Sequence, residues 1–160
     1  MSAVDLTKRL RLLNISDVTV ANLKVFHPIV EREADNLVAE FYRFVHQMPA
    51  TAAIFKDYDI EKHLKPAQRK HWLSLFSGRF DDGYTDQAIR IGTIHYRRKV
   101  APYLYIAGYN YFHCEMIRLA ALHYDGMDLA QILQAIAKAV ALDMDLALTS
   151  YTRAAWLHDA

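Results

Sequence analysis

Two short segments decide how this chain folds and what it binds. The first is Arg90-Ile91-Gly92-Thr93-Ile94-His95-Tyr96-Arg97, and the second is Phe41-Tyr42-Arg43-Phe44-Val45. The first places a histidine on an amphipathic helical segment, and the second places a tyrosine inside an otherwise apolar helix. An imidazole can bind a metal such as iron, and a buried phenol can donate a hydrogen bond to a ligand on the far side of that metal.

Length and composition indicate one globular domain over residues 1–160, with a mass of 18.4 kDa. Hydrophobic residues make up 53% of the chain, enough for a full core. The 19 Lys and Arg residues nearly balance the 18 Asp and Glu residues, which leaves a formal net charge of +1. This balance gives no electrostatic footprint for nucleic acid or for an anionic membrane, so we expect neither as a partner.

The single cysteine, Cys114, excludes an intrachain disulfide and fits a reducing compartment. Cys114 lies in an apolar, aromatic segment, which predicts a small core residue. The first eight residues lack the apolar stretch of a secretion signal, and no uninterrupted apolar run reaches membrane-spanning length. We therefore expect a soluble cytoplasmic protein.

Few turn residues interrupt the chain, and the periodicity predicts an all-α fold. There are five glycines and four prolines, and Asp82-Gly83 and Asp125-Gly126 fall between helical patterns rather than inside hairpins. Ser16 is expected to cap the second helix, Thr85 or Asp86 the helix over 86 to 98, and Asp128 the last helix. Helices are predicted at about Val4 to Leu13, Ser16 to Val25, 29 to 47, Pro49 to Phe55, Ile60 to Phe76, 86 to 98, Pro102 to His123 and Asp128 to Trp156.

The predicted last helix carries an apolar stripe and many alanines. Small residues permit close helix approach, and an exposed stripe would pair with a partner helix. We therefore expect a homodimer through the last two helices, although high helix propensity alone also explains the alanines. The stripe consists of Leu129, Ile132, Leu133, Ile136, Val140, Met144, Leu148 and Tyr151.

Most of the eight histidines give no metal signal. The chain contains no His-Glu-x-x-His, Cys-x-x-Cys or Cys-x-x-Cys-His spacing, so it offers neither a zinc motif nor covalent haem attachment of that form. From the residues alone, His95 is either a core histidine or a metal ligand. Tyr42 is likewise either a core tyrosine or a hydrogen-bond donor.

The segments quoted above, taken with the order of helices, resemble the sensor-globin family, the haem domains of globin-coupled sensors. The resemblance extends over nearly the whole chain. Its residues are the distal Phe41-Tyr42, the distal leucine at Leu64, the Arg-Ile-Gly-x-x-His signature at 90–95, and the aromatic segment Tyr105, Ala107 and Tyr109. It implies a globin fold with an extra N-terminal helix and a long C-terminal helix.

The resemblance also implies a cofactor and a site. The cofactor would be haem b, with His95 as the protein ligand of the iron. Dioxygen would bind to the iron, and CO and NO are further gases that can bind there. Tyr42 would donate a hydrogen bond to the gas, Leu64 and Ala67 would form an apolar distal wall, and Tyr105 would brace the proximal side. Phe41, Phe55, Gln68 and Ile91 complete the expected haem-contacting set.

By the same resemblance, the expected role is dioxygen sensing, with no enzymatic activity. The last helices would signal to an output domain such as a diguanylate cyclase or a chemotaxis transducer. Two alternatives stay open: a stand-alone globin that handles O2 or consumes NO, and a cofactor-free helical dimerisation module.

Three positions depart from the family pattern or leave its register open. Lys99 stands where a glycine often ends the proximal helix, so the turn there is undetermined. Pro66 either kinks the helix predicted over Ile60 to Phe76 or marks its first turn. If the register of that helix were shifted, His63 rather than a gas would bind the iron.

Overall fold

A computed structural model describes residues 4–158, with side chains described from 4 to 152. The described chain is helical without strands, as predicted. Short 3₁₀ and π-helical turns cover Ala53–Phe55 and Ile60–Leu64. The α-helices are α1 (Leu6–Leu12), α2 (Asp17–His46), α3 (Pro49–Ala52), α4 (Lys65–Phe76), α5 (Asp82–Arg97), α6 (Pro102–His123) and α7 (Gly126–His158).

Helix α2 is one continuous helix of 30 residues, so the predicted break between Val25 and 29 is wrong. Ser16 caps its start as expected, in a reciprocal capping box with Thr19. Pro28 lies inside the helix, where it removes one backbone hydrogen bond at a typical cost of about 3 kcal/mol. The helix continues because the residues around Pro28 are deeply buried, including Leu23, Phe26 and Val30 at 0% exposure.

The extra N-terminal helix is attached to the last helix by polar contacts. Arg9 of α1 forms an ion pair with Asp145 of α7, with Nε 2.5 Å from Oδ2, and its guanidinium also donates to Thr149. Lys138 of α7 donates to the carbonyl of Asn14 at the end of α1, at 2.8 Å. These contacts join the two ends of the described chain.

A π-helical turn leads into α4 and accommodates Pro66. The backbone N–H of Lys65 bonds to the carbonyl of Ile60, five residues back, and Pro66 then occupies the first turn of α4. A proline is tolerated there because its missing N–H would have no partner within the helix. Pro66 therefore marks a helix start rather than a kink. Pi-helical turns are often found at functional sites.

Helix α5 begins at Asp82, four residues earlier than expected, and Asp81 caps it. The Asp81 carboxylate accepts from the backbone N–H of Tyr84 at 2.9 Å. The predicted cap at Thr85 or Asp86 is therefore wrong. Asp81 is the better cap because its extended backbone directs the carboxylate at the free N–H groups of the first turn.

Lys99 ends α5 in the left-handed conformation that usually takes glycine, with φ +59°. The N–H of Val100 bonds to the His95 carbonyl at 3.1 Å, and the N–H of Lys99 bonds to that of Tyr96 at 2.9 Å. This pair of bonds is a Schellman motif, and Val100 beyond it is buried. A lysine thus occupies the left-handed position at which a glycine usually ends a helix.

Lys99→Gly should stabilise the protein by about 0.5–1 kcal/mol, because glycine adopts a positive φ without the steric cost that a side chain incurs. Urea unfolding followed by circular dichroism measures the change. The control is Arg90→Gly, an exposed position in the middle of the same helix, which should instead destabilise by about 1 kcal/mol. Equal effects of the two glycines would contradict the assigned turn.

The stripe predicted to face a partner lies largely inside the domain. Ile132, Ile136 and Val140 of α7 are buried, so that part of the interface prediction is wrong: α7 packs on α5, α6 and α2 of the same chain. Helix α7 also begins at Gly126, before the expected cap Asp128.

The exposed apolar face belongs to α6. It includes Tyr103, Ile106 and Ile117, which lie within about 60° of one another around the helix axis. Cys114 lies on this exposed side, so its prediction as a core residue is wrong. Among the described residues, no helix is both long and apolar enough to cross a membrane.

Candidate haem site

The expected proximal and distal residues lie on separate helices that do not pack closely on each other in the described chain. Helix α4 packs against α2, and α5 packs against α7. Leu64 and Gln68 lie on the α4 side, and His95 lies near the end of α5. This arrangement suits a ligand held between the two helices.

His95 is held by its own helix in the geometry of a metal ligand. Its Nδ1 lies 2.8 Å from the backbone carbonyl of Ile91, so Nδ1–H is the donor and Nε2 carries the lone pair. No described residue forms a hydrogen bond with Nε2. Burial lowers the pKa of His95, partly offset by the Ile91 carbonyl, and this favours the neutral imidazole. A free Nε2 on an oriented imidazole fits haem iron.

The ring of His95 lies against Tyr105 of α6. The two ring centroids are 4.6 Å apart with the planes tilted by 60°. Tyr105 is buried, so its ring limits rotation of the imidazole. The bracing role expected for Tyr105 would act through this contact.

Tyr42 is 3% exposed and is surrounded by aromatic rings. The edges of Phe41 and Phe55 meet it at centroid distances of 5.3 Å and 5.5 Å. Burial raises the pKa of Tyr42 to about 12, with a smaller opposing effect from a hydrogen bond to Gln68. The phenol is therefore protonated at neutral pH and available as a donor.

Gln68 is oriented by Trp72 one turn further along α4. The indole Nε1–H of Trp72 donates to the amide oxygen of Gln68 at 3.0 Å. The hydrogen bond between Gln68 and Tyr42 lowers the pKa of the phenol, which is the effect expected when the amide NH2 donates to the phenol oxygen. An N–H donor on that oxygen leaves the Tyr42 proton free for another acceptor.

A cavity of about 480 Å³ adjoins Tyr42 and opens towards solvent. It is large enough for a sizeable small-molecule ligand. Its lining combines apolar and charged side chains and includes none of His95, Leu64 and Gln68, so it lies on the outer side of Tyr42. The lining residues are Ala39, Tyr42, Arg43, His46, Tyr58, Asp59, Ile60, Glu61 and Lys65.

Not every expected site residue is placed in a buried pocket. Leu64 and Ile91 are half-buried, and Leu64 packs against the core. Ala67 is exposed, so the structure does not place it in a buried distal wall. It lies about 100° round the helix from Gln68, which faces inward. His63 is also exposed, on the outer side of the π-helical turn, as the unshifted register requires.

Two structural features near His95, a close contact between helices and a buried acid, were not predicted from the sequence. Gly92 lies where α5 meets α7, and a Cβ there would be 2.4 Å from the carbonyl oxygen of Ala147. Asp143, on α7, is completely buried and accepts a hydrogen bond from His71. Asp143 could have been noticed in the sequence as the acid that lies four residues from both Ala139 and Ala147, on a helix face of small residues.

Among the described residues, no three His, Cys, Asp or Glu side chains cluster as a metal site. A metal bound at His95 would therefore take its remaining ligands from a cofactor. Haem would supply four porphyrin nitrogens to the iron, and the imidazole of His95 would be a further ligand. The residues present thus fit haem better than a protein-only metal centre.

Comparisons with known proteins show the family to which the chain belongs. The protoglobin family model matches residues 2–156. The heme-based aerotactic transducer HemAT of Halobacterium salinarum is 29% identical over 118 residues, covering 73% of this chain. Those residues amount to 24% of the transducer, so the chain spans about a quarter of that relative.

Two solved structures share the fold. The globin domain of a Geobacter sulfurreducens globin-coupled sensor superposes with a TM-score of 0.87 at 21% identity, covering 94% of this chain and 99% of that one. The ferric globin domain of Escherichia coli DosC gives a TM-score of 0.76 at 16% identity, covering 90% and 97%. The chain belongs to the protoglobin family and has the fold of globin-coupled sensor domains.

Proposed function

We propose that this chain binds haem b and senses dioxygen through it. The observation that carries the proposal is His95, whose Nδ1–H is bonded to the Ile91 carbonyl and whose Nε2 is free of described partners. Haem iron supplies reversible binding of a diatomic gas, including O2, CO and NO. The chain would supply His95 to hold the iron and Tyr42 as a hydrogen-bond donor to the gas.

The distal residues favour dioxygen among these gases. Dioxygen gains partial negative charge at iron, so it accepts a hydrogen bond more strongly than CO does. Tyr42 donates that bond, and Gln68 orients the hydroxyl from the other side. Leu64 limits the entry of water and so slows oxidation of the iron.

Tyr42→Phe should make dioxygen dissociate roughly tenfold to a hundredfold faster, as expected for the loss of about 1–3 kcal/mol in a dry pocket. The ring keeps its contacts with Phe41 and Phe55, so haem content should persist. Stopped-flow measurement of O2 and CO dissociation makes the comparison within one protein, and CO should change much less.

The matched control is Tyr111→Phe, which removes a tyrosine hydroxyl outside the pocket, where the ring stacks on Phe44. It should leave both dissociation rates unchanged. If Tyr42→Phe changes O2 and CO dissociation equally, or changes neither, Tyr42 is not the discriminating donor and Gln68 becomes the candidate.

The route from the site to an output domain runs through α7. Helix α5, which carries His95, lies on α7 in backbone contact at Gly92 and Ala147. Ser150 of α7 also donates to the Ile89 carbonyl at 2.8 Å. A displacement of α5 on gas binding therefore moves α7, and an output domain such as a chemotaxis transducer or a diguanylate cyclase would respond to that movement.

We also propose that two copies associate through the exposed apolar face of α6. Its only charged member is Arg118, which pairs with Glu115 of the same helix. A second copy of α6 would bury Ile106 and Ile117, which are 44% and 40% exposed. A reducing cytoplasm suits the exposed Cys114 on this face.

Ile106→Glu with Ile117→Glu should convert a dimer into a monomer at micromolar concentration, because two carboxylates would be buried across the interface. Light scattering coupled to size exclusion measures the mass. Val25→Glu, an equally exposed apolar position on α2, should leave the dimer intact. A monomeric parent protein would contradict the proposed association.

A further inference from the structure

A buried polar network lies beside the candidate site, centred on Asp143 of α7. The carboxylate is 0% exposed. It accepts from His71 Nε2 at 2.7 Å and from the Tyr109 hydroxyl at 2.5 Å, and it also accepts from the hydroxyl of Tyr84. These donors come from α4, α6 and α5, so one carboxylate joins four helices.

The network keeps Asp143 ionised despite its burial. Burial alone favours the neutral acid, but the His71 imidazole and the three hydrogen bonds hold the pKa of Asp143 below its usual value. Burial lowers the pKa of His71, but the charge of Asp143 and its hydrogen bond outweigh burial, so the pKa of His71 is raised. A buried carboxylate with several donors of this kind is costly to disturb.

An ionised Asp143 fixes the direction of the neighbouring hydrogen bonds. A carboxylate only accepts, so the Tyr109 hydroxyl must donate to it. The Tyr109 oxygen can then accept from Tyr105, whose hydroxyl oxygen is 3.2 Å away. Both phenol protons therefore point towards Asp143, and each bond strengthens the next.

The last member of this chain of bonds touches the candidate iron ligand. The Tyr105 ring lies on the His95 ring, with centroids 4.6 Å apart. The Tyr105 hydroxyl donates to Tyr109, on the side of the ring that leads to Asp143. The ring that lies against His95 is thus linked by two hydrogen bonds to a carboxylate on α7.

We propose that Asp143 is a positioning residue for the proximal side, acting on His95 through Tyr109 and Tyr105. This inference rests on the proposed role of His95 as the haem ligand. In the ferrous protein, Asp143 holds the imidazole at one orientation and so sets the strength of the iron–histidine bond. Because Asp143 is part of α7, the same bonds couple the proximal side to that helix.

The test is resonance Raman measurement of the iron–histidine stretch in the full chain loaded with haem. Asp143→Asn and Tyr109→Phe should both shift the band, because each breaks the chain of bonds to Tyr105. Tyr84→Phe is the matched control: it removes one hydrogen bond to Asp143 but leaves the Tyr109–Tyr105 link in place. Its band should stay at the parent position.

The outcomes separate this inference from the proposed function. If the parent protein shows no iron–histidine stretch, the proposed function fails. If the parent shows the band and all three variants retain its position, only the role of Asp143 is overturned. A shift of equal size in Tyr84→Phe also overturns it, because Asp143 would then act through general packing. Circular dichroism identifies any variant that fails to fold. If Asp143→Asn does not fold, the band position in Tyr109→Phe, which leaves the carboxylate in place, tests the inference.

Discussion

His95→Gly should abolish stable haem binding. The substitution removes the one bond that the chain is proposed to make to the iron and leaves a space the size of an imidazole beside Tyr105. We expect the purified variant to lose most of its haem, and we expect added imidazole to restore haem binding by filling that space. Absorbance at the haem Soret band relative to protein absorbance measures retention.

The control for this experiment is His63→Ala. His63 is exposed on the π-helical turn and has no role at the proposed site. It should retain haem with an unchanged spectrum. Retention of haem by His95→Gly without imidazole, or loss of haem in His63→Ala, would contradict the assignment of the iron ligand and indicate a shifted register of α4.

Gly92→Ala should destabilise the domain and disturb the proximal helix. The added Cβ would lie 2.4 Å from the oxygen and 2.8 Å from the Cα of Ala147, and both are backbone atoms that cannot turn aside. Alanine gains about 1 kcal/mol in helix propensity, but overpacking costs about 1–3 kcal/mol or more, so α5 must move away from α7. We expect a net loss of up to about 2 kcal/mol, or a Tm lower by up to roughly 8 °C.

Gly108→Ala is the matched control, since Gly108 also lies inside a helix but has room for a methyl group. Its Cβ would lie 3.8 Å from the Phe41 ring, an ordinary contact. The control should therefore stabilise the domain by up to about 1 kcal/mol through helix propensity. If both alanine variants stabilise the domain, the close approach of α5 and α7 is wrong.

Helix periodicity and caps were enough to predict the all-α fold. The apolar spacing of α2 and the capping box at Ser16 are local features, and the structure retains both. The prediction failed at Pro28 because the helix there is held by burial of Leu23, Phe26 and Val30 against other helices. Local propensity does not include that contribution.

The partner of an apolar face was harder to predict than the face itself. The stripe through Ile136 and Val140 is real, but it is covered by helices of the same chain. Periodicity shows that a face is apolar without showing which surface covers it. For the same reason, the exposed side of α6 and the exposure of Ala67 emerged only from the packed structure.

The candidate site, like the fold, was predictable from the sequence only in part. The sequence alone left His95 and Tyr42 open between core and functional roles, and the resemblance to sensor globins was needed to choose. The bond from His95 to Ile91 follows from helix geometry, because residues four apart share a face. The contacts of Asp143 with His71 and Tyr109 join residues 72 and 34 positions apart, and no local pattern indicates such pairs.

Reversible binding of dioxygen at a histidine-ligated haem b can be measured directly. The experiment is the absorption spectrum of the full chain reconstituted with haem, reduced under argon, exposed to dioxygen and returned to argon. We expect a Soret band that changes with dioxygen and returns to the ferrous position when the gas is removed, over several cycles. Failure to retain haem, or irreversible oxidation at the first exposure to dioxygen, would contradict the account.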